Sequence, residues 1–247
     1  MHLILICINC KKQAINNCLM KWAWLETDET IRKSFVTFCL FALSDMNGNN
    51  RRIPIVSDPI LTSPLSSQLK AHTHAIHERL DHAIMTAGMF SDRPGYQNFV
   101  LVQYRFHRDL NVLYGDPALA RIVPDLPARN RFAQVVEDMA DLDIPTPEAT
   151  ERPVAHDPSE AMGWLYVAEG SKLGAGILTR LAEKLGFGAS FGARHLQPDP
   201  AGRGRSWSAF QEAIDRAGLD PDRCVIGAES GFTRVIDYLG SVTSARA

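Results

Sequence analysis

The chain of 247 residues has no surplus of basic charge: 26 Lys and Arg stand against 28 Asp and Glu, a formal net charge of -2. Nucleic acid and anionic membrane are both gripped through clustered positive charge, so neither is expected as a partner. Evenly spread cysteine is lacking too. Cys7, Cys10, Cys18 and Cys39 crowd into the first 39 residues and Cys224 stands alone after them. Such an odd total argues against a secreted disulfide framework and for a reducing, cytoplasmic compartment. Cys7 and Cys10 form a C-x-x-C, but no second pair follows at zinc-ribbon spacing, so no zinc site is read there. Long apolar runs are also missing. MHLILICI has no basic residue before it, unlike a secretory signal. Phe35 to Leu43 is shorter than the about 20 apolar residues that cross a bilayer. No G-x-G-x-x-G follows a strand pattern, which removes a resident nicotinamide or flavin. Strict apolar–polar alternation is absent, and the β classes go with it.

What remains is organised by position. Residues 1–45 differ in character from the rest, and Met46 opens a polar, proline-containing stretch through Pro64. The natural start is expected at Met46, with 1–45 a dispensable extension, 46–64 a flexible linker, 65–240 one domain and 241–247 a tail. The first 45 residues hold five basic and four acidic side chains, which leaves the remainder at -3. From Leu65 onward the pattern is helical. Leu65, Leu69, Ile76, Leu80 and Ile84 recur at three- and four-residue steps, with Ser63 or Ser66 as cap. Pro94 starts a second helix through Phe99, Val102, Phe106, Leu110 and Leu113. Further helices are expected over 127–142, 158–186, 206–217 and 221–240. The fold class is all-α, one domain.

Two segments carry candidate chemistry. LKAHTHAIHERLDHAI packs His72, His74, His77 and His82 into a single helix, and imidazole is the commonest protein ligand for porphyrin iron and for zinc. Helical periodicity puts His72 on the stripe of Leu69, Ile76 and Leu80, His77 on its edge beside Thr73 and Ile84, and His74 on the outer face. No E-x-x-H or H-E-x-x-H accompanies them, so a zinc or di-iron site is not indicated. A heme needs only one inward imidazole, and His72 and His77 both qualify. The second segment, GWLYVAEGSKLGAGILTRLAEKLG, is helical in its leucine spacing but broken by Gly170, Gly174 and Gly176. Each glycine costs a helix interior about 1 kcal/mol against alanine. Either another helix packs closely on the small-residue face, or a flat ligand approaches the backbone.

Four motifs in order bring a family into view: L-K-x-x-T-x-x-x-H-x-x-L-D from Leu69, Q-Y-x-F-H-x-D-L-x-x-L-Y from Gln103, G-W-L-Y-V-x-E-G-S-K-L-G from Gly163 and F-G-A-R-H-L from Phe191. Together, over about residues 65–240, they resemble bacterial heme oxygenases. The resemblance implies a helical fold in which heme b, both substrate and prosthetic group, lies between a proximal and a glycine-interrupted distal helix. It selects His77 as the proximal iron ligand and Gly170 and Gly174 as the distal glycines, with Ser171 where animal members carry a carboxylate. Lys70 is placed like the residue that pairs with a heme propionate, Tyr166 like a pocket aromatic, and Phe232 like the aromatic of the last helix. Arg180, Arg216 and Arg223 are further propionate candidates, and Tyr104, His107 or ordered water are candidates for proton supply.

The activity so implied is ring opening of heme to biliverdin, carbon monoxide and ferrous iron, with O2 and electrons from an external ferredoxin or flavoprotein reductase. Lys70, Arg105, Arg108 and Lys172 are candidate contacts for that redox partner, and a bacteriophytochrome is a candidate biliverdin acceptor. The alternatives are a non-catalytic heme-binding or sensor protein on the same fold, and the thiaminase-like or quinone-cofactor branch of the same superfamily. The latter lacks the histidine matched by His77.

Overall fold

A computed structural model describes residues 63–244 apart from 149–151, 153 and 156. The expected extension 1–45 and nearly all of the linker 46–64 lie outside the described residues. Seven α-helices follow one another among those described: α1 Leu65–Thr86, α2 Arg93–Tyr114, α3 Pro117–Ile122, α4 Phe132–Asp141, α5 Pro158–Lys184, α6 Arg203–Arg216 and α7 Pro221–Ser244. Single 3₁₀ turns cover Leu126–Arg129 and Arg194–Leu196. The only β features among the described residues are isolated bridges from Gly188 to Phe191 and Gly192. No helix among them is long and apolar enough to cross a membrane.

Helix starts follow from local chemistry. Asp92 accepts from the Gly95 N–H with Pro94 in the first turn, Asp116 from the Ala118 N–H ahead of Pro117, and Asp157 from the N–H groups of Ser159 and Glu160. Each side-chain oxygen satisfies an amide that has no partner within its own helix. The cap expected of Ser63 or Ser66 on α1 is not formed. Pro64 holds the cap position, and Asp215 of α6 reaches across instead, accepting from the Ser66 N–H at 2.7 Å and its hydroxyl at 2.9 Å. A cap from another helix ties α1 to α6. Asp215→Ala is expected to lower stability by about 1 kcal/mol, read in a thermal melt as a fall of roughly 2–4 °C.

α7 is the central post. It packs along α5, α1 and α2, while α1 and α5 are not packed along one another. The tightest crossing is between α5 and α7. A Cβ on Gly163 would stand 2.1 Å from the Cys224 carbonyl oxygen, and one on Gly227 would stand 2.0 Å from the Glu160 carbonyl oxygen. These two glycines let the backbones touch. α7 also runs to Ser244, so 241–244, expected as tail, are helical.

Candidate active site

α1 presents Leu65, Ser66, Leu69, Thr73 and Leu80 to the core. His72, assigned by periodicity to the apolar stripe, is exposed instead, because α7 and α6, the elements packed on α1, cover the face one position further round. His77 is exposed over about half of its side chain (53%), yet its ring stands edge-on to the buried Phe232 ring at 5.6 Å and 89°. Its Nδ1 faces Asp81 Oδ2 at 3.5 Å, which leaves Nε2 without a described partner. A carboxylate behind one ring nitrogen is the usual support for a metal bound at the other. The neighbouring histidines are arranged differently. His74 turns Nε2 toward Glu78 at 3.4 Å, and His82 Nε2 lies 3.4 Å from the Thr86 hydroxyl.

On α5, Tyr166, Gly170, Leu173, Gly174 and Ile177 share one face by helical spacing. Tyr166 is buried beside the Thr73 hydroxyl, and burial pushes its phenol pKa up. That contact joins α1 to α5 one turn from His77 on the first helix and one turn from Gly170 on the second. Beyond it the face opens. A Cβ on Gly174 would meet nothing within 4 Å, and one on Gly170 would reach only the Trp207 ring at 3.5 Å. Leu173 and Ile177 are 45% and 68% exposed. The helix-packing explanation of these glycines therefore fails at Gly174, and an apolar stripe with a glycine at its centre stands uncovered.

The other expected residues fall as follows. Lys70 is exposed on α1, two turns before His77. Ser171 is exposed and donates its hydroxyl to the Ala168 carbonyl oxygen at 2.7 Å, within its own helix. Phe232 is buried against His77. Arg180 is exposed, Arg216 pairs with Glu212 at 2.7 Å, and Arg223 stands 3.8 Å from Asp157. Lys172, expected on a surface for an acidic partner, is buried and bonded to Glu169 at 2.6 Å. Desolvation lowers its pKa, against the pull of Glu169. A hollow of about 800 Å³ lies beside Trp164, Ile226, Thr233 and Arg234 and takes in, of the expected site residues, only Arg223.

Of the buried polar layer behind α5, sequence reasoning singled out His107 and missed His195 and Asp138. His107 is fully enclosed, and burial, followed by His195, Lys172 and Arg131, lowers its pKa to about 3. His195 Nδ1 lies 2.6 Å from Asp138 Oδ2. Desolvation pushes the Asp138 pKa up, but the hydrogen bonds and charge of His195, with the Arg194 N–H, together outweigh it and hold the pKa below the ordinary carboxylate value. His107 Nδ1 and His195 Nε2 are buried without a described partner, the kind of position that ordered water serves. The signal for this layer was present in the motifs, as charged and imidazole side chains set within otherwise apolar runs.

Among the described residues no group of three His, Cys, Asp or Glu side chains could hold a bare metal ion. A porphyrin, which brings its own four nitrogens, needs one imidazole, one open apolar face and a backbone it can approach. Those are the features found on α1 and α5. The family model described as Heme oxygenase matches residues 63–239. Heme oxygenase PigA of Pseudomonas aeruginosa is 38% identical over 179 residues, 70% of this chain and 90% of that protein. The crystal structure of the NO- and CO-bound heme oxygenase from Neisseria meningitidis superposes with a TM-score of 0.71 at 32% identity, over 74% of this chain and 94% of its own. The chain belongs to the heme oxygenase family, enzymes that take heme as substrate.

Proposed function

We propose that heme is held between α1 and the glycine face of α5, with His77 Nε2 as the one protein ligand to iron. The observation that carries this is the contrast among the α1 histidines. His77 alone packs its ring on a buried aromatic while keeping Nε2 unengaged, with Asp81 behind Nδ1. The bound heme supplies an iron that binds O2 and a conjugated ring that is itself oxidised. His77 would bind that iron through Nε2 and orient the ring. Gly170 and Gly174 leave room for the α5 backbone to approach the opposite side, and Leu173 and Ile177 exclude water from the ring edge. Lys70 pairs with a propionate, with Tyr166 closing the pocket beside Thr73. His107, held neutral by burial and close enough to Lys172 to feel its charge, is placed behind α5 to pass protons through ordered water. Electrons come from a ferredoxin or flavoprotein reductase, and the products are biliverdin, carbon monoxide and ferrous iron. A bacteriophytochrome is a fitting acceptor for the biliverdin, and the cytoplasm a fitting compartment.

Titration with hemin is expected to reach one equivalent with a Soret band. Reductant and air should then convert the complex to biliverdin. A heme spectrum that persists unchanged with a competent reductase would overturn the turnover reading.

A further inference from the structure

The buried face of α5 next to the glycine stripe carries an arrangement of charge that the heme site does not use. Glu169 and Lys172 flank Gly170 and Ser171, and their side chains are only 1% and 9% exposed. The Glu169 carboxylate is the hub. Its Oε1 accepts from the Tyr114 hydroxyl at 2.8 Å and from Lys172 Nζ at 2.6 Å, and its Oε2 accepts from Arg129 Nη1 at 3.1 Å. Lys172 Nζ also donates to the Arg129 carbonyl oxygen at 2.7 Å. Arg129 Nη1 reaches the Ser206 carbonyl and hydroxyl oxygens, both at 3.1 Å, and Arg203 Nη1 donates to the Lys172 carbonyl oxygen at 2.9 Å. Thus α2, the first 3₁₀ turn and α6 all converge on the two residues that bracket the first distal glycine.

The glycine side of the same turn has no comparable restraint. A Cβ on Gly174 would touch nothing, Leu173 and Ile177 face outward, and glycine adds backbone freedom. Buried ion networks contribute little net stability compared with apolar side chains of the same volume, while fixing a single arrangement through directional bonds. Stability alone therefore does not explain three charges and a phenol at this place. We propose that Glu169 is a positioning residue for the heme reaction: by anchoring the core side of α5 to Tyr114, Arg129 and Lys172, it sets how closely the Gly170–Gly174 backbone stands over the distal side of the heme. The proposal rests on the heme-site reading above.

The test uses the full chain, with and without hemin. Glu169→Gln keeps the shape and removes the charge. Tyr114→Phe removes one hydrogen bond and leaves the three charges paired, so it serves if the first variant is poorly folded. In heme-free protein, the amides of 170–176 are expected to exchange with deuterium at least about tenfold faster than in the parent, while those of α1 and α7 stay within about threefold. With heme bound, affinity should remain within about threefold, the C–O stretch of the ferrous CO complex should shift or broaden, and biliverdin yield should fall at least about threefold. Unchanged exchange at 170–176, or a rise spread evenly over the chain as a general loss of stability would give, overturns the proposal. So does an unaltered C–O stretch together with an unaltered yield. Failure of the parent chain to bind hemin would instead refute the heme-site reading, and the heme-free exchange result would still decide whether Glu169 fixes the α5 backbone.

Discussion

His77→Ala is expected to abolish turnover while leaving the helical fold in place, and added imidazole is expected to restore part of the activity. The side chain is half exposed, with its ring edge-on to Phe232, so its loss opens little of the core. Its chemical loss is large. Groups that merely support a metal-bound imidazole are worth about 10–100-fold each, so removal of the ligand itself should exceed about 100-fold. Free imidazole can enter the space vacated by the ring and would bind the iron in its place. His72→Ala, His74→Ala and His82→Ala are the controls and should turn over heme like the parent, since their rings are exposed and none packs on a described aromatic ring. Activity that survived in His77→Ala and vanished in His72→Ala would transfer the ligand to the stripe position that periodicity favours. The measurement is single-turnover conversion of the ferric complex to biliverdin, with and without imidazole.

The long helices were legible from their apolar spacing. The expectation of 158–186 meets α5 at Pro158–Lys184, and that of 221–240 meets α7 within a turn. The expected helix 127–142 is divided in two. Asn130 takes an extended backbone and its side chain accepts from the Phe132 N–H at 2.9 Å, a local bond that competes with helix continuation and leaves no mark in hydrophobic spacing. α3 is six residues long, too short to show a period. Within the site, the resemblance pointed to His77, Gly170 and Gly174, while periodicity placed His72 inward and Lys172 was expected among the surface charges. Both errors have one cause. A helical wheel says which residues share a face and not which face a neighbour covers, and it assigns every charge to water. Lys172, Arg129 and Asp138 are buried because the Arg129 carbonyl oxygen, the Glu169 carboxylate and the His195 imidazole come to them from elsewhere in the chain. Pairing of that kind exists only after the helices have assembled.

Glycine shows the same ambiguity, and a pair of substitutions resolves it. Gly163→Ala is expected to be among the most destabilising single changes in the domain, although it adds one methyl group. That methyl would sit 2.1 Å from the Cys224 carbonyl oxygen and 2.6 Å from the Ala228 nitrogen, atoms of a helix backbone that cannot rotate aside. The two helices would have to separate along the crossing that joins α5 to α7. Overpacking a well-filled core costs about 1–3 kcal/mol, and rigid backbone on both sides puts this case at or above about 3 kcal/mol, out of a total stability of roughly 5–15 kcal/mol. A thermal midpoint lower by roughly 6–12 °C is the corresponding result. Gly174→Ala should behave in the opposite way. Its Cβ meets nothing within 4 Å, and alanine favours the helix by about 1 kcal/mol, so the heme-free protein should melt at the same temperature or a few degrees higher. Adding a side chain on the face reserved for heme should at the same time weaken hemin binding or slow ring opening. If Gly163→Ala melted like the parent, the close crossing would be refuted. If Gly174→Ala lost stability, that glycine would belong to the fold, and the uncovered stripe on α5 would no longer point to a ligand.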